Sequence, residues 1–102
     1  MKTSCIAPLL TAAALLAPAI ASAGPTLDAV KQRGALRCGV NTGLIGFSTP
    51  DSQGKWTGID VDFCRAVAAV VLGDPNKVQF VPTNTQNRFT VLQSGEVDIL
   101  SR

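Results

Sequence analysis

The chain has no histidine and no tyrosine, and only three cysteines in 102 residues. Without histidine, these residues cannot build a His-based nucleophilic triad or a His-ligated zinc site. Cys5, Cys38 and Cys64 are far apart and form no C-x-x-C, so zinc-clip and dithiol redox spacings are absent. The basic residues Lys31, Arg33, Arg37, Lys55, Arg65, Lys77, Arg88 and Arg102 stand singly, and no basic run interleaves with aromatics. No nucleic-acid partner is expected. Gly54-Lys55 is followed by Trp56 rather than Ser or Thr, which excludes a P-loop. Gly39, Gly43 and Gly46 lack the G-x-G-x-x-G spacing of dinucleotide binders. Asp60 and Asp62 superficially match the Asp-x-Asp of phosphoryl-transfer enzymes, but they open a helix, where its dipole alone favours acids. No catalytic residue, metal site or cofactor is expected.

What is present begins with a leader. Lys2 supplies a positive start, residues 6–20 are uncharged and rich in Ala and Leu, and Ala21-Ser22-Ala23 offers small residues to a signal peptidase. Residues 1–23 therefore read as a signal peptide cleaved before Gly24. An uncleaved anchor is the alternative, but the stretch is shorter than the roughly 20 apolar residues a span needs. Cys5 precedes the apolar run and is expected to leave with the leader. The mature chain is expected in the periplasm.

In that compartment Cys38 and Cys64 are the remaining pair, and an even count favours a disulfide. Two buried free thiols, behaving as small apolar side chains, are the alternative. Cys38 lies on the apolar face of a strand and Cys64 on the apolar stripe of the helix expected to pack there.

The mature residues alternate strand and helix. A short helix is expected from Leu27 to Gly34, capped by Thr26, with Asp28 and Arg33 suited to its dipole. Leu36, Cys38 and Val40 alternate with Arg37 as a first strand over 35–41. Residues 44–50 are loop-like, and 51–55 form a turn between two short extended pieces. Val61, Cys64, Val67, Ala68 and Val71 fall at helical spacing behind Gly58, and Gly73-Asp74-Pro75 ends that helix. A second strand is expected over 77–82, stopped by Pro82. A helix follows over about 87–93 with Phe89 and Leu92 on its buried face, then a third strand over 97–100. Strand, helix, strand, helix, strand is the βαβαβ pattern of an α/β fold with a parallel sheet. Ligands bind such sheets beyond the carboxyl ends of the strands. Those ends are Asn41-Thr42-Gly43, Thr83-Asn84-Thr85 and Ser101-Arg102.

Arg88 stands out near that edge. It opens a helix where dipole logic prefers an acid, and a cation beside a ligand cleft suits a carboxylate. A solvated surface arginine is the alternative. Phe47 reads equally as a core plug or as a wall for the aliphatic part of a ligand.

The segment Gly58-Ile59-Asp60-Val61-Asp62-Phe63-Cys64-Arg65-Ala66-Val67-Ala68 resembles the G-[FY]-D-V-D-[LF]-x-x-A-[IV]-A signature of family 3 solute-binding proteins, the periplasmic polar amino acid receptors of ABC importers. Gly34-x-Leu36-x-Cys38-Gly39-Val40 is similar to their first strand. Arg88 to Asp98 resembles their R-[FI]-x-x-L-x-x-G-x-x-D block. The general L-amino acid-binding subgroup is similar also in 37–43, 63–69 and Leu100-Ser101-Arg102.

The resemblance implies a periplasmic binding protein-like fold: two α/β lobes joined by a hinge around an amino acid. It implies that residues 24–102 form only the N-terminal part of lobe one, a reading supported by a third strand that nothing follows. The arginine that usually grips the ligand α-carboxylate is expected beyond Arg102. By resemblance, Asn41, Phe47, Thr85 and Arg88 are ligand-binding positions. Leu44 stands where basic amino acid binders often carry a stacking tyrosine, which weakens any claim of a preference for arginine or lysine. The expected partners are an L-amino acid and the permease subunits of an ABC transporter, and the expected state is a monomer. The rivals are a dehydratase-like enzyme on the same scaffold and an extracytoplasmic sensor domain.

Overall fold

Gly24 and Pro25 set the first element of the structure, a computed structural model that describes residues 24–102. The expected leader, with Cys5, lies outside the described residues. In chain order the elements are α1 (Pro25–Arg33), β1 (Leu36–Asn41), β2 (Thr49–Pro50), β3 (Trp56–Thr57), α2 (Ile59–Leu72), β4 (Val78–Thr83), α3 (Arg88–Gln93) and β5 (Ile99–Leu100). Helix α1 starts two residues before the expected point. Pro25 occupies its first turn, where a missing N–H removes no helical bond, and Thr26 makes no cap. Gly34, at φ 71°, closes it by donating its N–H to the Val30 carbonyl.

The sheet is parallel, in the order β4-β1-β5. Strand β1 pairs with β4 from Leu36↔Val78 to Asn41↔Thr83, and with β5 at Cys38↔Ile99 and Gly39↔Leu100. Although β5 is shorter than the expected strand, Asp98 N–H donates to the Arg37 carbonyl at 2.9 Å and Ser101 N–H to the Gly39 carbonyl at 2.8 Å, flanking the pairing. Pro82 does not stop β4. It pairs in register with Val40, because β4 is an edge strand among the described residues and a ladder edge tolerates a missing donor. Strands β2 and β3 form a small antiparallel hairpin.

Alternation along β1 separates the two faces of the sheet. Leu36, Cys38 and Val40 face one side, where Cys38 and Val40 pack with Val61 and Cys64 of α2. Leu36 packs with Val30 of α1 and Ala68 of α2. The expected stripe on α2 is therefore the buried one, though Val67 and Val71 are only partly covered. Cys38 and Cys64 are joined in a disulfide, with their Cα atoms 6.3 Å apart. On the other face Gly39 has no room for a side chain: a Cβ would lie 2.8 Å from Leu100 Cδ1.

Helix α3 differs from expectation. Its buried residue is Val91, while Phe89 is 59% exposed and Leu92 38%. Six residues are too few for spacing to identify a face, since less than two turns leaves several positions equivalent. No described helix is long and apolar enough to cross a membrane.

Candidate functional site

All three parallel strands end on one edge of the sheet, and the predicted site residues fall on the loops that leave it. Asn41 ends β1 and is half-buried. Its Oδ1 accepts from Gly43 N–H at 3.3 Å, which turns the chain out of the strand, and its carbonyl accepts from Ser48 Oγ at 3.2 Å. Ser48 is fully buried, so this bond folds residues 42–48 back over the end of β1.

Phe47 rides on that folded loop. Phe47 is 48% exposed among the described residues and does not join their core. Its carbonyl accepts from Asp60 N–H at 3.0 Å, fastening the loop to the first turn of α2. The approach is so close that a Cβ on Gly58 would collide with the Phe47 carbonyl, and Gly58 sits at φ 122°. Only glycine is relaxed there. The glycine of the Gly58-Ile59-Asp60 motif thus positions an aromatic residue at the sheet edge.

After β4, the loop carrying Thr85 and Arg88 is built by two asparagines. Asn84 Oδ1 accepts from the N–H groups of Gln86 and Asn87 at 3.0 and 2.8 Å, and Asn87 Oδ1 accepts from Asn84 N–H at 2.9 Å. This reciprocal pair holds the turn, and Asn84 O then accepts Arg88 N–H at 3.2 Å. Thr85 is exposed at the tip. Arg88 is half-buried; its Cζ lies 4.7 Å from the Phe89 ring centroid, and its Nε is buried with no hydrogen-bond partner among the described residues. A buried guanidinium donor without an acceptor costs about 1–3 kcal/mol, so it marks a place where an acceptor would be stabilising.

Two residues beyond the predicted set belong to this edge. Thr83 is 1% exposed, and its Oγ1 donates to the Val40 carbonyl at 3.0 Å. Arg102 Nη1 donates to the Thr83 carbonyl at 2.6 Å and to Thr83 Oγ1 at 3.2 Å. The position of Ser101-Arg102 after the third strand was the available signal, but a strand-end position alone assigns no contact. Among the described residues no group of acids and cysteines could hold a metal ion. The arrangement offers an exposed aromatic, hydroxyl and amide groups and two guanidinium groups. Such groups suit an anionic or zwitterionic small molecule.

Residues 36–102 match the bacterial extracellular solute-binding proteins, family 3. The chain is 54% identical over 102 residues to the general L-amino acid-binding periplasmic protein AapJ of Rhizobium johnstonii. It is 53% identical over 102 residues to the glutamate/glutamine/aspartate/asparagine-binding protein BztA of Rhodobacter capsulatus. Each alignment covers 100% of this chain and 30% of the relative, so the chain spans under a third of their length. Among solved structures, a periplasmic binding protein from Brucella ovis with glutathione bound is similar, with a TM-score of 0.74 and 59% identity over 76% of this chain and 24% of that one. The family's extracellular location agrees with the export expected from the N-terminal residues. With its parallel sheet, its Gly58-Ile59-Asp60-Val61-Asp62 helix start and the match across 36–102, the chain belongs to the bacterial extracellular solute-binding proteins of family 3.

Proposed function

We propose that residues 24–102 supply the first part of lobe one of a periplasmic amino acid receptor, which hands its ligand to the permease of an ABC importer. One observation carries this reading: the family match lies on a sheet whose carboxyl edge gathers Asn41, Phe47, Thr85 and Arg88 on loops leaving adjacent strands. The names of the relatives support an L-amino acid as ligand, including acidic ones and their amides. In this reading Arg88 offers charge to a ligand carboxylate, Thr85 a hydroxyl, Asn41 an amide and Phe47 an apolar wall. The ligand bridges this wall and a second lobe, and its greater affinity for the closed state drives hinge closure. In this reading the chain is a binding component rather than an enzyme, which the names of the relatives, all of them binding proteins, support.

The test is calorimetry on a two-lobed chain in which residues 24–102 replace the matching segment of the rhizobial relative. Micromolar binding of L-amino acids is expected. Residues 24–102 alone, presenting one wall of the cleft, are expected to bind more weakly than about 1 mM. A two-lobed chain that is folded but binds no amino acid would overturn the reading.

A further inference from the structure

The described chain treats its arginines in two ways. Arg33 pairs with Asp98 at 2.7 Å and Arg65 with Asp62 at 3.3 Å. Arg37, Arg88 and Arg102 form no ion pair among the described residues, and of these Arg88 and Arg102 stand at the carboxyl edge of the sheet. Arg102 is nevertheless held in place. Thr83 spends its one hydroxyl proton on the Val40 carbonyl, so the lone pairs of Oγ1 are left to accept from Arg102 Nη1. The Thr83 carbonyl accepts from the same nitrogen. One relay thus ties the ends of β1 and β4 to the residue just beyond β5.

That anchoring uses a single nitrogen of the guanidinium. Nε and Nη2 make no hydrogen bond to a described residue. Together they form the two-donor edge that accepts a carboxylate bidentately, and a planar fork fixed at Nη1 has lost its rotational freedom before the ligand arrives. Arg88 lies on the neighbouring loop, its N–H bonded to the carbonyl of Asn84, the residue after Thr83. Arg88 and Arg102 thus stand on neighbouring strand-end segments at the carboxyl edge of the sheet.

We propose that Arg102 is a specificity-determining residue of the cleft, receiving on its Nε–Nη2 edge the side-chain carboxylate of an acidic amino acid. The assignment rests on the receptor reading above and narrows its ligand class to amino acids that carry a second carboxylate.

The experiment uses the same two-lobed chain, with glutamate, glutamine and alanine as probes and the unliganded melting temperature as a control. Arg102→Met is expected to weaken glutamate binding ten- to hundredfold while changing glutamine and alanine less than threefold. Arg102→Lys, which keeps the charge but not the fork, is expected to fall between wild type and Arg102→Met for glutamate alone. A loss of equal size for all three probes would assign Arg102 to tying strand ends and overturn the proposal. Unchanged glutamate affinity in both variants would overturn it too. A wild-type chain that binds none of the probes overturns the receptor reading, and this assignment with it.

Discussion

Arg33, at the end of α1, and Asp98, just ahead of β5, are joined by a 2.7 Å ion pair across 65 residues of chain. The Asp98 side chain is 8% exposed, and the same Oδ2 accepts the Arg37 N–H at 2.8 Å. The pair closes the N-terminal helix onto a sheet edge that few apolar contacts hold. Removing Arg33 leaves a carboxylate buried with one backbone donor, whereas removing Asp98 leaves an arginine that can reach water. Arg33→Ala is therefore expected to destabilise by about 2–4 kcal/mol, and Asp98→Asn, which keeps an acceptor for Arg37, by roughly half of that. Urea unfolding followed by circular dichroism checks the order, and equal small losses in both would show the pair to be solvated.

Gly58 and Gly73 flank α2 and separate two kinds of glycine requirement. Both have positive φ, 122° and 73°, but a Cβ at Gly73 meets open space while one at Gly58 strikes the Phe47 carbonyl. Gly73→Ala should cost about 1–2 kcal/mol, the left-handed penalty alone. Gly58→Ala should exceed about 3 kcal/mol, because strain and overpacking add. Thermal unfolding of the two variants measures the difference. A comparable shift for both would mean that the 42–48 loop yields freely.

The βαβαβ order is readable in the sequence because β1 alternates, α2 carries an apolar stripe between Gly58 and Gly73, and Cys38 and Cys64 fall on faces that have to meet. Where those signals were weak, the reading went astray for definable reasons. Pro82 reads as a strand end only when the strand is interior; β4 is an edge, and sheet order is not written in local pattern. Phe89 and Leu92 read as buried by hydrophobicity, but a six-residue helix has too little length to commit a face. The edge residues were placed by strand ends and by family resemblance. Ser101-Arg102 is legible as a strand end, but the contact of Arg102 with Thr83 joins residues 19 apart whose proximity depends on strand order.

The Cys38–Cys64 disulfide should be essential to folding strength and resistant to reductant in the native state. Both residues are fully buried, so a reducing thiolate reaches them only on opening. Closing a loop across a sequence separation of 26 stabilises by roughly 3–4 kcal/mol in the chain-entropy model. Alkylation in denaturant without reductant, followed by mass spectrometry, should find no labelled thiol at either position. The double variant Cys38→Ala/Cys64→Ala should lose at least that stability, since two core side chains are also truncated. Labelling of both residues in denaturant without reductant would count against the bridge.

Arg88 should show a trade between stability and binding that a surface arginine would not. Among the described residues its Nε is buried without a partner, at a cost of about 1–3 kcal/mol, and its contact with the Phe89 ring returns only about 0.5–1 kcal/mol. Arg88→Met keeps the length of the side chain and removes the orphaned donor. Unliganded stability is therefore expected to stay level or rise. In the two-lobed chain the same change removes a charge-assisted contact worth about 1.5–3 kcal/mol, which weakens glutamate roughly ten- to hundredfold. Glutamine and alanine, lacking the second carboxylate, should lose less. If both guanidinium groups address one carboxylate, combining Arg88→Met with Arg102→Met should cost less than the sum of the single losses. Melting temperatures and calorimetry on the four chains give both readouts. An Arg88→Met variant that melts lower and binds glutamate normally would place Arg88 among the structural arginines and out of the site.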